Sequence, residues 1–270
     1  MKNKKTLILS GMGLNCEHET AYACEKSGAT AVEILHTLRF LNGTINLGDY
    51  DFIIFIGGFL DGDYLGSARV GVNRFKYGSS ENFDLKEQLK DFSRSGRLLL
   101  GICNGFQLLV KLGFLPDEKQ AFENQTISLT QNQKGIFENR WVNLRVNPQN
   151  NNVFTRGIEQ IYLPVRHGEG RIVVTDEKTQ SDLVSNNQIA MFYADREGKT
   201  TGDYPHNPNG SWNNIAAISN EAGNILGMMP HPEAYNHYTN HPHWTRLQFA
   251  EENGEGLKLF KNAYQHLNQQ

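Results

Sequence analysis

The segment of the sequence that is best suited to catalysis surrounds Cys103. An apolar run, Leu98–Ile102, leads into Gly101-Ile102-Cys103-Asn104-Gly105, and a helical pattern follows at once. Such a strand-to-helix turn is typical of a nucleophile elbow, in which small residues two positions before and after the nucleophile let the chain fold tightly. The helix N-terminus would favour a thiolate, and its free N–H groups could bind an oxyanion. The alternative is a buried cysteine on a core strand, with glycines that serve packing.

A cysteine nucleophile needs a general base, and His231 is the best placed of the nine histidines. It lies in Gly227-Met228-Met229-Pro230-His231-Pro232-Glu233, where an apolar strand ends between two prolines that fix the backbone. Glu233 follows two residues later and, in an extended segment, would share a side with His231 and set its tautomer. The alternative is an ordinary loop histidine beside a turn.

Paired glycines at the end of another apolar run form the third piece of the candidate site. Gly57-Gly58-Phe59 follows Asp51–Ile56, and glycines at the carboxyl end of a strand can turn a backbone N–H toward a ligand. That N–H would be the second half of an oxyanion hole whose first half is the helix after Cys103. The alternative is a turn that only ends the strand.

Two other segments carry metal-ligand residue types, and neither predicts a metal site. Asp61-Gly62-Asp63 looks like the start of a calcium loop, but the later ligands and the glutamate of an EF-hand are missing. The spacing of His241 and His243, with His237 close by, can suit zinc, but no cysteine or aspartate ligand lies at a suitable spacing. We expect a surface loop or an interface there, and no metal in this chain.

The two remaining cysteines lie around the first predicted helix. Cys16 and Cys24 are eight residues apart, and His18 is the only histidine near either of them in the sequence. We expect one of the two to be buried and the other to lie near the crevice at the strand ends. The sequence does not predict a second catalytic pair there.

The elements that would position these residues alternate between strands and helices. Nearly continuous apolar runs are typical of strands that are covered on both faces, as in a parallel sheet. The predicted strands are 5–10, 31–35, 51–56 and 98–102; the predicted helices are 17–26, a helix capped by Ser80 with Phe83, Leu85, Leu89 and Phe92 on its apolar face, and 104–112. This order predicts an α/β fold with a doubly wound, mostly parallel sheet and flanking helices, with ligands at the carboxyl ends of the strands.

After about residue 135 the pattern changes to short strand-like runs, separated by loops rich in Asn, Gly and Pro. The runs are 141–146, 161–165, 172–174, 189–193, 215–218 and 225–228, and a helix is predicted over 255–267. They predict a small additional antiparallel β region. We expect a loop over 124–133, and because no segment has the composition of a linker we predict one domain over residues 1–270.

Composition excludes several classes of protein. The 270 residues carry 26 Lys and Arg against 29 Asp and Glu, a net charge of −3, so no basic field for nucleic acid is expected. No apolar run approaches the roughly 18 residues of a membrane-spanning helix, and three cysteines cannot form a disulfide framework. We expect a globular protein of the cytoplasm.

Taken together, the motifs resemble those of the class I, or triad, glutamine amidotransferases. Gly57-Gly58-Phe59, Gly101–Gly105 and His231-Pro232-Glu233 occur in the order of that family. Two further stretches, His167-Gly168-Glu169-Gly170 and Asn207-Pro208-Asn209-Gly210-Ser211, are similar to those of the branch of the family that serves purine biosynthesis. The matching stretches span nearly the whole chain.

The resemblance implies a glutaminase that hydrolyses L-glutamine to glutamate and ammonia. Cys103 would attack the side-chain amide, His231 would be the general base and then the acid that protonates the departing ammonia, and Glu233 would orient His231. The resemblance also implies two sets of weaker assignments: oxyanion binding by backbone N–H groups near Gly58 and Asn104, and a glutamine pocket lined by Gln107 and His167.

The same resemblance implies partners. The ammonia would pass to a separate ATP-dependent synthetase that converts formylglycinamide ribonucleotide to the amidine, and a small third subunit would join the complex. The sequence has no Walker-type phosphate loop, so ATP and magnesium are expected on the synthetase and no cofactor in this chain. The alternatives are an amidotransferase for another acceptor, a cysteine peptidase or stress protein on the same sheet architecture, and a subunit that binds a partner without catalysis.

Overall fold

The computed structural model describes residues 4–78 and 84–270, in which nine of eleven strands form one central sheet. The strands are β1 (Lys5–Ser10), β2 (Ala31–His36), β3 (Phe52–Phe55), β4 (Leu98–Ile102), β5 (Ser128–Thr130), β6 (Glu138–Val146), β7 (Gln160–His167), β8 (Arg171–Val173), β9 (Ile189–Ala194), β10 (Ile215–Ser219) and β11 (Ile225–Met228). The order in the sheet is β2-β1-β3-β4-β11-β10-β9-β6-β7, while β5 and β8 pair separately.

Seven α-helices accompany the sheet in the described part of the chain. They are α1 (Glu17–Lys26), α2 (Thr37–Leu41), α3 (Arg69–Tyr77), α4 (Leu85–Arg94), α5 (Asn104–Lys111), α6 (Glu177–Ser185) and α7 (Leu257–Asn268). Helix α1 contacts β1, β2 and α7, and α5 packs against β3, β4 and β11. Among the described residues, no helix has the length and apolar character needed to cross a membrane.

The parallel half of the sheet, β2-β1-β3-β4-β11, follows from apolar runs that are covered on both faces. Every residue of β3, β4 and β11 is buried. Strands of this kind cannot present a polar face to water, so helices must cover them on both sides. The predicted α/β fold, a doubly wound and mostly parallel sheet with flanking helices, is confirmed.

The antiparallel strands β10, β9, β6 and β7 continue the same sheet. We predicted a small additional antiparallel region, and most of that region extends the main sheet while only β5 and β8 stand apart. The change of direction occurs between β10 and β11. Because only residues 220–224 join these strands, they must pair as an antiparallel hairpin, whereas a parallel pair would need a long crossover.

Sequence patterns did not predict one strand and three helices of the described residues. β5 lies within 124–133, where we expected a loop, and its three residues are too few for the alternation to stand out. Helix α2 has five residues and α6 buries only Leu183, so neither carries a long apolar stripe. Helix α3 holds Gly71 and Asn73 in its interior, which weakens its helical signal.

Helix α4 begins later than we predicted. Its N-cap is Asp84, whose side chain accepts a hydrogen bond from the backbone N–H of Glu87 at 3.2 Å. The predicted cap Ser80 and the predicted apolar residue Phe83 lie outside the described residues. The remaining apolar positions that we predicted on this helix are buried, namely Leu85, Leu89 and Phe92.

Three adjacent strands deliver the candidate residues to one edge of the sheet. β4 lies between β3 and β11 and is parallel to both, with Phe55 in register with Gly101 and Ile102 in register with Met228. The carboxyl ends of parallel strands meet at one edge, so the segments that follow Phe55, Ile102 and Met228 come together there. The topology therefore assembles the candidate site from parts of the chain that are far apart in sequence.

Replacing Gly105 should destabilise the fold, because α5 begins directly against the end of β3. A Cβ atom at Gly105 would overlap the carbonyl carbon and oxygen of Phe55, and a backbone carbonyl cannot swing aside as a flexible side chain can. We expect Gly105→Ala to lower the free energy of unfolding by about 1–3 kcal/mol, the usual cost of overpacking. Urea-induced unfolding followed by circular dichroism measures the change.

Gly168→Ala is the matched control for this experiment. A Cβ atom at Gly168 would lie 3.8 Å from Cδ2 of Phe137, which is an ordinary van der Waals distance. Its free energy of unfolding should stay close to that of the unmodified chain. Equal losses in the two variants would show that close packing at Gly105 is not what the fold depends on.

Candidate active site

Cys103 occupies a strained turn between β4 and α5, as the sequence predicts. Its φ is 52° and its ψ is −105°, a conformation that non-glycine residues rarely adopt. Its backbone N–H donates to the carbonyl oxygen of Met228 at 2.8 Å, which extends the β4–β11 pairing to the turn. A Cβ atom at Gly101 would lie 2.8 Å from the carbonyl oxygen of Gly105, so this position also needs glycine. The backbone shape is that of a nucleophile elbow, and the nucleophilic role of Cys103 stays a prediction.

The imidazole of His231 is held by a short hydrogen bond to Glu233. His231 Nδ1 lies 2.6 Å from Glu233 Oε1, and the side chains are only 3% and 1% exposed. The ionised carboxylate can only accept, so Nδ1 donates and Nε2 is left as the basic nitrogen. The backbone N–H of His231 donates to the carbonyl oxygen of Pro164 on β7 at 2.8 Å, which fixes the position of the base.

Glu233 reaches His231 by a route that we did not predict. We expected an extended segment, but residues Pro232–Ala234 form one turn of 3₁₀ helix, for which His231 is the extended N-cap. The proline fits the first position of that turn, where its missing N–H costs nothing. The turn therefore brings the carboxylate back toward the ring that precedes it.

The electrostatic surroundings of His231 favour the protonated ring. Burial by itself lowers the pKa of His231, but the Glu233 carboxylate and then the Cys103 thiolate outweigh burial and raise the pKa well above its usual value. The carboxylate therefore keeps the buried ring able to accept and hold a proton.

The Gly57-Gly58 turn lies against both members of this pair. A Cβ atom at Gly57 would lie 2.7 Å from Cε1 of His231 and 3.4 Å from Cβ of Cys103. The backbone of Gly58 has a φ of +137° and forms an isolated bridge with Leu14. The hydrogen bonds of this bridge are made by the residues next to Leu14 and Gly58 in the chain, not by these two residues themselves. The N–H of Gly58 therefore points away from Leu14. Oxyanion binding by Gly58 stays a prediction.

The side chain of Asn104 ties the segment after this turn to helix α5. Its Nδ2 donates to Asp63 Oδ1 at 2.8 Å and to Gln107 Oε1 at 3.0 Å, while its Oδ1 accepts from the N–H of Leu60 at 3.3 Å. Asn104 is the first residue of α5, so its own N–H has no partner within the helix. That N–H remains the predicted second oxyanion donor.

The segment 59–68, which we name the rim loop, has an unusual backbone. Four non-glycine residues have left-handed φ values: Asp61 (54°), Asp63 (50°), Leu65 (64°) and Ala68 (56°). Each such residue costs of the order of 1 kcal/mol, so the loop must be held from outside. Asn104 holds it at one end, and Glu169 Oε2, which accepts from the N–H of Ser67 at 3.2 Å, holds it at the other.

Gln107 and His167, which we expected to line the glutamine pocket, are both buried and engaged in internal hydrogen bonds. The amide of Gln107 donates to the carbonyl oxygen of Glu169. His167 Nδ1 lies 3.0 Å from Asn132 Oδ1, and burial, with a smaller effect of His231, lowers the pKa of His167 to about 3. His167 is therefore neutral near His231, and the pocket-lining role of both residues stays a prediction.

Sequence reasoning missed the position of Cys16. Its Sγ, a ring nitrogen of His231 and a carboxylate oxygen of Glu233 lie within 4.8 Å of one another. We expected one of the two cysteines around α1 to lie near the strand ends. We also expected no histidine other than His18 beside it, and that expectation was wrong. The signal that could have found it is topological, because Cys16 follows β1 at the sheet edge where His231 also lies. Cys24 is fully buried, and burial raises its pKa to about 12.

The three histidines after the candidate site pack among aromatic rings. His241 lies with ring centroids 5.7 Å from Trp141 and 5.3 Å from Tyr162. His237 Nδ1 lies 2.8 Å from Thr239 Oγ1 and caps a short turn. In the described residues, the metal-ligand group with close spacing lies at His231 and not at these histidines.

Removing the charge of Glu233 should lower the pKa of His231, because burial then acts without the carboxylate that opposes it. The change is Glu233→Gln in a Cys103→Ala background, so that no thiolate shares the proton. We expect His231 to lose its proton at a lower pH than in Cys103→Ala alone. Titration of the histidine ring protons by NMR measures the shift.

His241 serves as the internal control for this titration. Burial lowers the pKa of His241, and neither Glu233 nor His231 contributes to that shift. Its titration should be the same in both proteins. A titration of His231 that did not respond to Glu233→Gln would show that the carboxylate is not what keeps the ring protonated.

Comparison with known families and proteins shows which family the chain belongs to. The family model described as CobB/CobQ-like glutamine amidotransferase domain matches residues 3–267. The phosphoribosylformylglycinamidine synthase subunit PurQ of Dehalococcoides mccartyi is 41% identical over 263 residues, which cover 97% of each chain. A PurQ subunit of Methanococcus maripaludis is 38% identical over 274 residues, which cover 98% of this chain and 97% of the relative.

Solved structures agree with these relatives. The structure of PurLQS from Thermotoga maritima matches with a TM-score of 0.70 and 26% identity, covering 98% of this chain and 99% of that chain. The glutaminase domain of a Trypanosoma brucei CTPS shares the fold, with a TM-score of 0.54 and 14% identity over 97% of this chain and 94% of that chain. The chain therefore belongs to the CobB/CobQ-like family of glutamine amidotransferases and is similar over nearly its whole length to PurQ subunits of phosphoribosylformylglycinamidine synthase.

Proposed function

We propose that this chain is the glutaminase subunit of a phosphoribosylformylglycinamidine synthase in purine biosynthesis. It hydrolyses L-glutamine to glutamate and ammonia, and the ammonia passes to an ATP-dependent synthetase that converts formylglycinamide ribonucleotide to formylglycinamidine ribonucleotide. The observation that carries the proposal is the placement of Cys103, on a nucleophile elbow, beside the buried His231–Glu233 pair. The similarity to PurQ subunits over nearly the whole chain supports the choice of acceptor.

The reaction divides into two steps that use the same three side chains. His231 takes the proton of Cys103, and the thiolate attacks the side-chain carbonyl carbon of glutamine. The N–H groups of Gly58 and Asn104 stabilise the negative oxygen that forms. His231 then gives its proton to the departing ammonia, which leaves a thioester that water, activated by His231, hydrolyses to glutamate. Glu233 keeps the ring in the correct tautomer throughout.

The partner of this chain is a synthetase subunit, as in the PurLQS assembly of Thermotoga maritima. A small third subunit completes the complex. ATP and magnesium belong to the synthetase, and this chain needs no cofactor because a Cys–His–Glu site activates its own nucleophile. The complex works in the cytoplasm.

An exposed apolar surface beside the candidate site supports docking of the synthetase there. Tyr64 and Leu65 on the rim loop are 73% and 77% exposed, and Ile136 is half exposed just before β6. Phe59 and Phe137 stack across the gap between these two segments, with ring centroids 6.4 Å apart. Adjacent exposed apolar side chains of this kind are typical of a surface that a partner protein covers.

The rim loop offers a route by which the partner can control the glutaminase. Its left-handed residues make the observed backbone costly, so an alternative arrangement lies within reach in free energy. A change at Phe59–Leu65 would turn the N–H of Gly58, and loss of one oxyanion donor costs about 10²–10³ in rate. A synthetase that binds preferentially to the competent loop would raise the rate by population shift.

Cys103→Ala should remove glutamine-dependent activity, because the covalent step is lost. We expect a loss of at least about 10⁴-fold in glutamate release, as for other nucleophile deletions. His231→Ala should come close to that loss, and Glu233→Gln should lose less because it removes an orienting charge and not the base. Amidine formation from free ammonium by the assembled complex should continue in all three variants.

The ammonium reaction is the control that separates catalysis at Cys103 from assembly of the complex. Near-normal glutamine turnover by Cys103→Ala would overturn the proposal. A greater loss at His167→Ala than at His231→Ala would show that the base had been misassigned.

The isolated chain should have weak glutaminase activity that rises at least about tenfold with the synthetase and its acceptor nucleotide. Leu65→Asp should reduce this rise, because it places a charge on the apolar docking surface, while aspartate tolerates the left-handed backbone at this position. Glutamate release with and without the partner measures both effects.

Val184→Asp is the matched control, since Val184 is 53% exposed on α6, which leads into the first residue of β9. β9 runs in the same direction as β4 and β11, so its first residue lies at the end of the sheet opposite the candidate site. It should leave the rise unchanged. Full activity of the isolated chain, unaffected by the synthetase, would favour an uncoupled glutaminase and count against the purine assignment.

A further inference from the structure

Cys16 gives the candidate active site a side chain that the proposed reaction does not use. It is only 7% exposed, its thiol donates to Asn15 Oδ1 at 3.4 Å, and it lies beside the imidazole of His231. Cys16 Sγ, a ring nitrogen of His231 and a carboxylate oxygen of Glu233 lie within 4.8 Å of one another. Among residues 4–78 and 84–270, this is the one cluster of three such ligand groups at that spacing.

Two buried atoms without partners belong to residues of the cluster. His231 Nε2 and Glu233 Oε2 are buried, and neither has a hydrogen-bond partner within the described residues. Buried polar atoms without partners are uncommon in native proteins, and a bound ion is one of the usual reasons for them. The proposed reaction accounts for His231 Nε2, the nitrogen that takes the proton of Cys103, whereas Glu233 Oε2 belongs to the carboxylate beside Cys16 and has no part in that reaction.

The donor set selects the kind of ion. A thiolate, a carboxylate and a neutral imidazole carry a total charge of −2, so a divalent cation gives a neutral buried site. Thiolate and imidazole ligands favour Zn²⁺ and its softer analogue Cd²⁺, whereas Mg²⁺ and Ca²⁺ prefer sites made of oxygen atoms. Three protein ligands with a fourth position left open is an arrangement that zinc accepts.

We propose that Cys16, His231 and Glu233 form an inhibitory binding site for a divalent cation of the zinc type. Binding releases the thiol proton of Cys16 and the Nδ1 proton of His231, and the cation takes the place of that proton between His231 and Glu233. The ring can then no longer take the proton of Cys103, so the ion and the glutaminase reaction exclude each other. The inhibition rests on the proposed function, whereas the binding site does not.

Cadmium binding to the full-length chain, without glutamine, tests the site itself. Thiolate coordination produces an ultraviolet absorption band that reports Cd²⁺ binding directly. The unmodified chain should bind one Cd²⁺, and Cys103→Ala should bind it as well because Cys103 is not one of the three ligands. Cys16→Ala should lose the band and at least about tenfold in affinity. Mg²⁺ in excess should not displace the bound Cd²⁺.

Cys24→Ala is the matched control, since Cys24 is a buried cysteine on α1, the helix that Cys16 precedes, and lies outside the cluster. It should bind Cd²⁺ like the unmodified chain. Circular dichroism confirms that each variant is folded, and Cys16→Ser replaces Cys16→Ala if the latter is not. Unchanged binding in a folded Cys16 variant, loss of binding in Cys103→Ala, or no binding by the unmodified chain would each overturn the proposed site.

Glutamate release in the presence of Zn²⁺ tests the inhibition. Each protein is compared with its own rate without zinc, and the unmodified complex should lose at least tenfold more of its rate than the Cys16→Ala complex. Equal inhibition of the two would overturn the inhibitory role. A chain that never releases glutamate would refute the proposed function, while the cadmium titration would still decide whether the site exists.

Discussion

A single buried hydrogen bond, 2.6 Å from His231 Nδ1 to Glu233 Oε1, is the interaction on which the rest of the site depends. Burial by itself lowers the pKa of the imidazole, and the adjacent Glu233 carboxylate, followed by Cys103, raises it and makes a positive ring tolerable inside the protein. The backbone bond from His231 to Pro164 ties this arrangement to the antiparallel half of the sheet, while Cys103 belongs to the parallel half. The site therefore exists only when the two halves are joined.

The parts of the site that could be predicted from sequence are those that local patterns determine. A buried strand, two glycines around Cys103 and an immediate helix leave the chain almost one way to fold, so the elbow was predictable. The prolines around His231 marked the base for a similar reason. The turn that brings Glu233 back to His231 was not predictable, because an extended segment and a 3₁₀ turn begin with the same residues. The strand runs predicted the parallel sheet, but whether the later strands form a second sheet or extend the first depends on a five-residue connection rather than on their composition.

Contacts between distant segments account for the features that sequence patterns did not predict. Cys16 is separated from His231 by more than two hundred residues, and only the order of β1, β3, β4 and β11 brings the two to one edge. The hydrogen bonds that join Asn104 and Glu169 to the rim loop also link segments that are far apart in the sequence. In the sequence, each residue that makes one of these polar contacts looks like an ordinary residue of a helix or a loop. Prediction of such a network needs the topology first, because no periodicity reports it.

Cys103 and the rim loop differ in how their surroundings can open. Cys103 follows a strand whose five residues are all buried and which has neighbours on both sides, so its surroundings can be exposed only when the whole sheet unfolds. The rim loop is held by a few polar bonds and carries its apolar side chains on the outside, so it can open while the sheet stays intact. Backbone amides of the two segments should therefore exchange with solvent on separate timescales. Substitutions could therefore change the rate at which the rim loop opens without changing the stability of the sheet. The two properties are free to evolve independently.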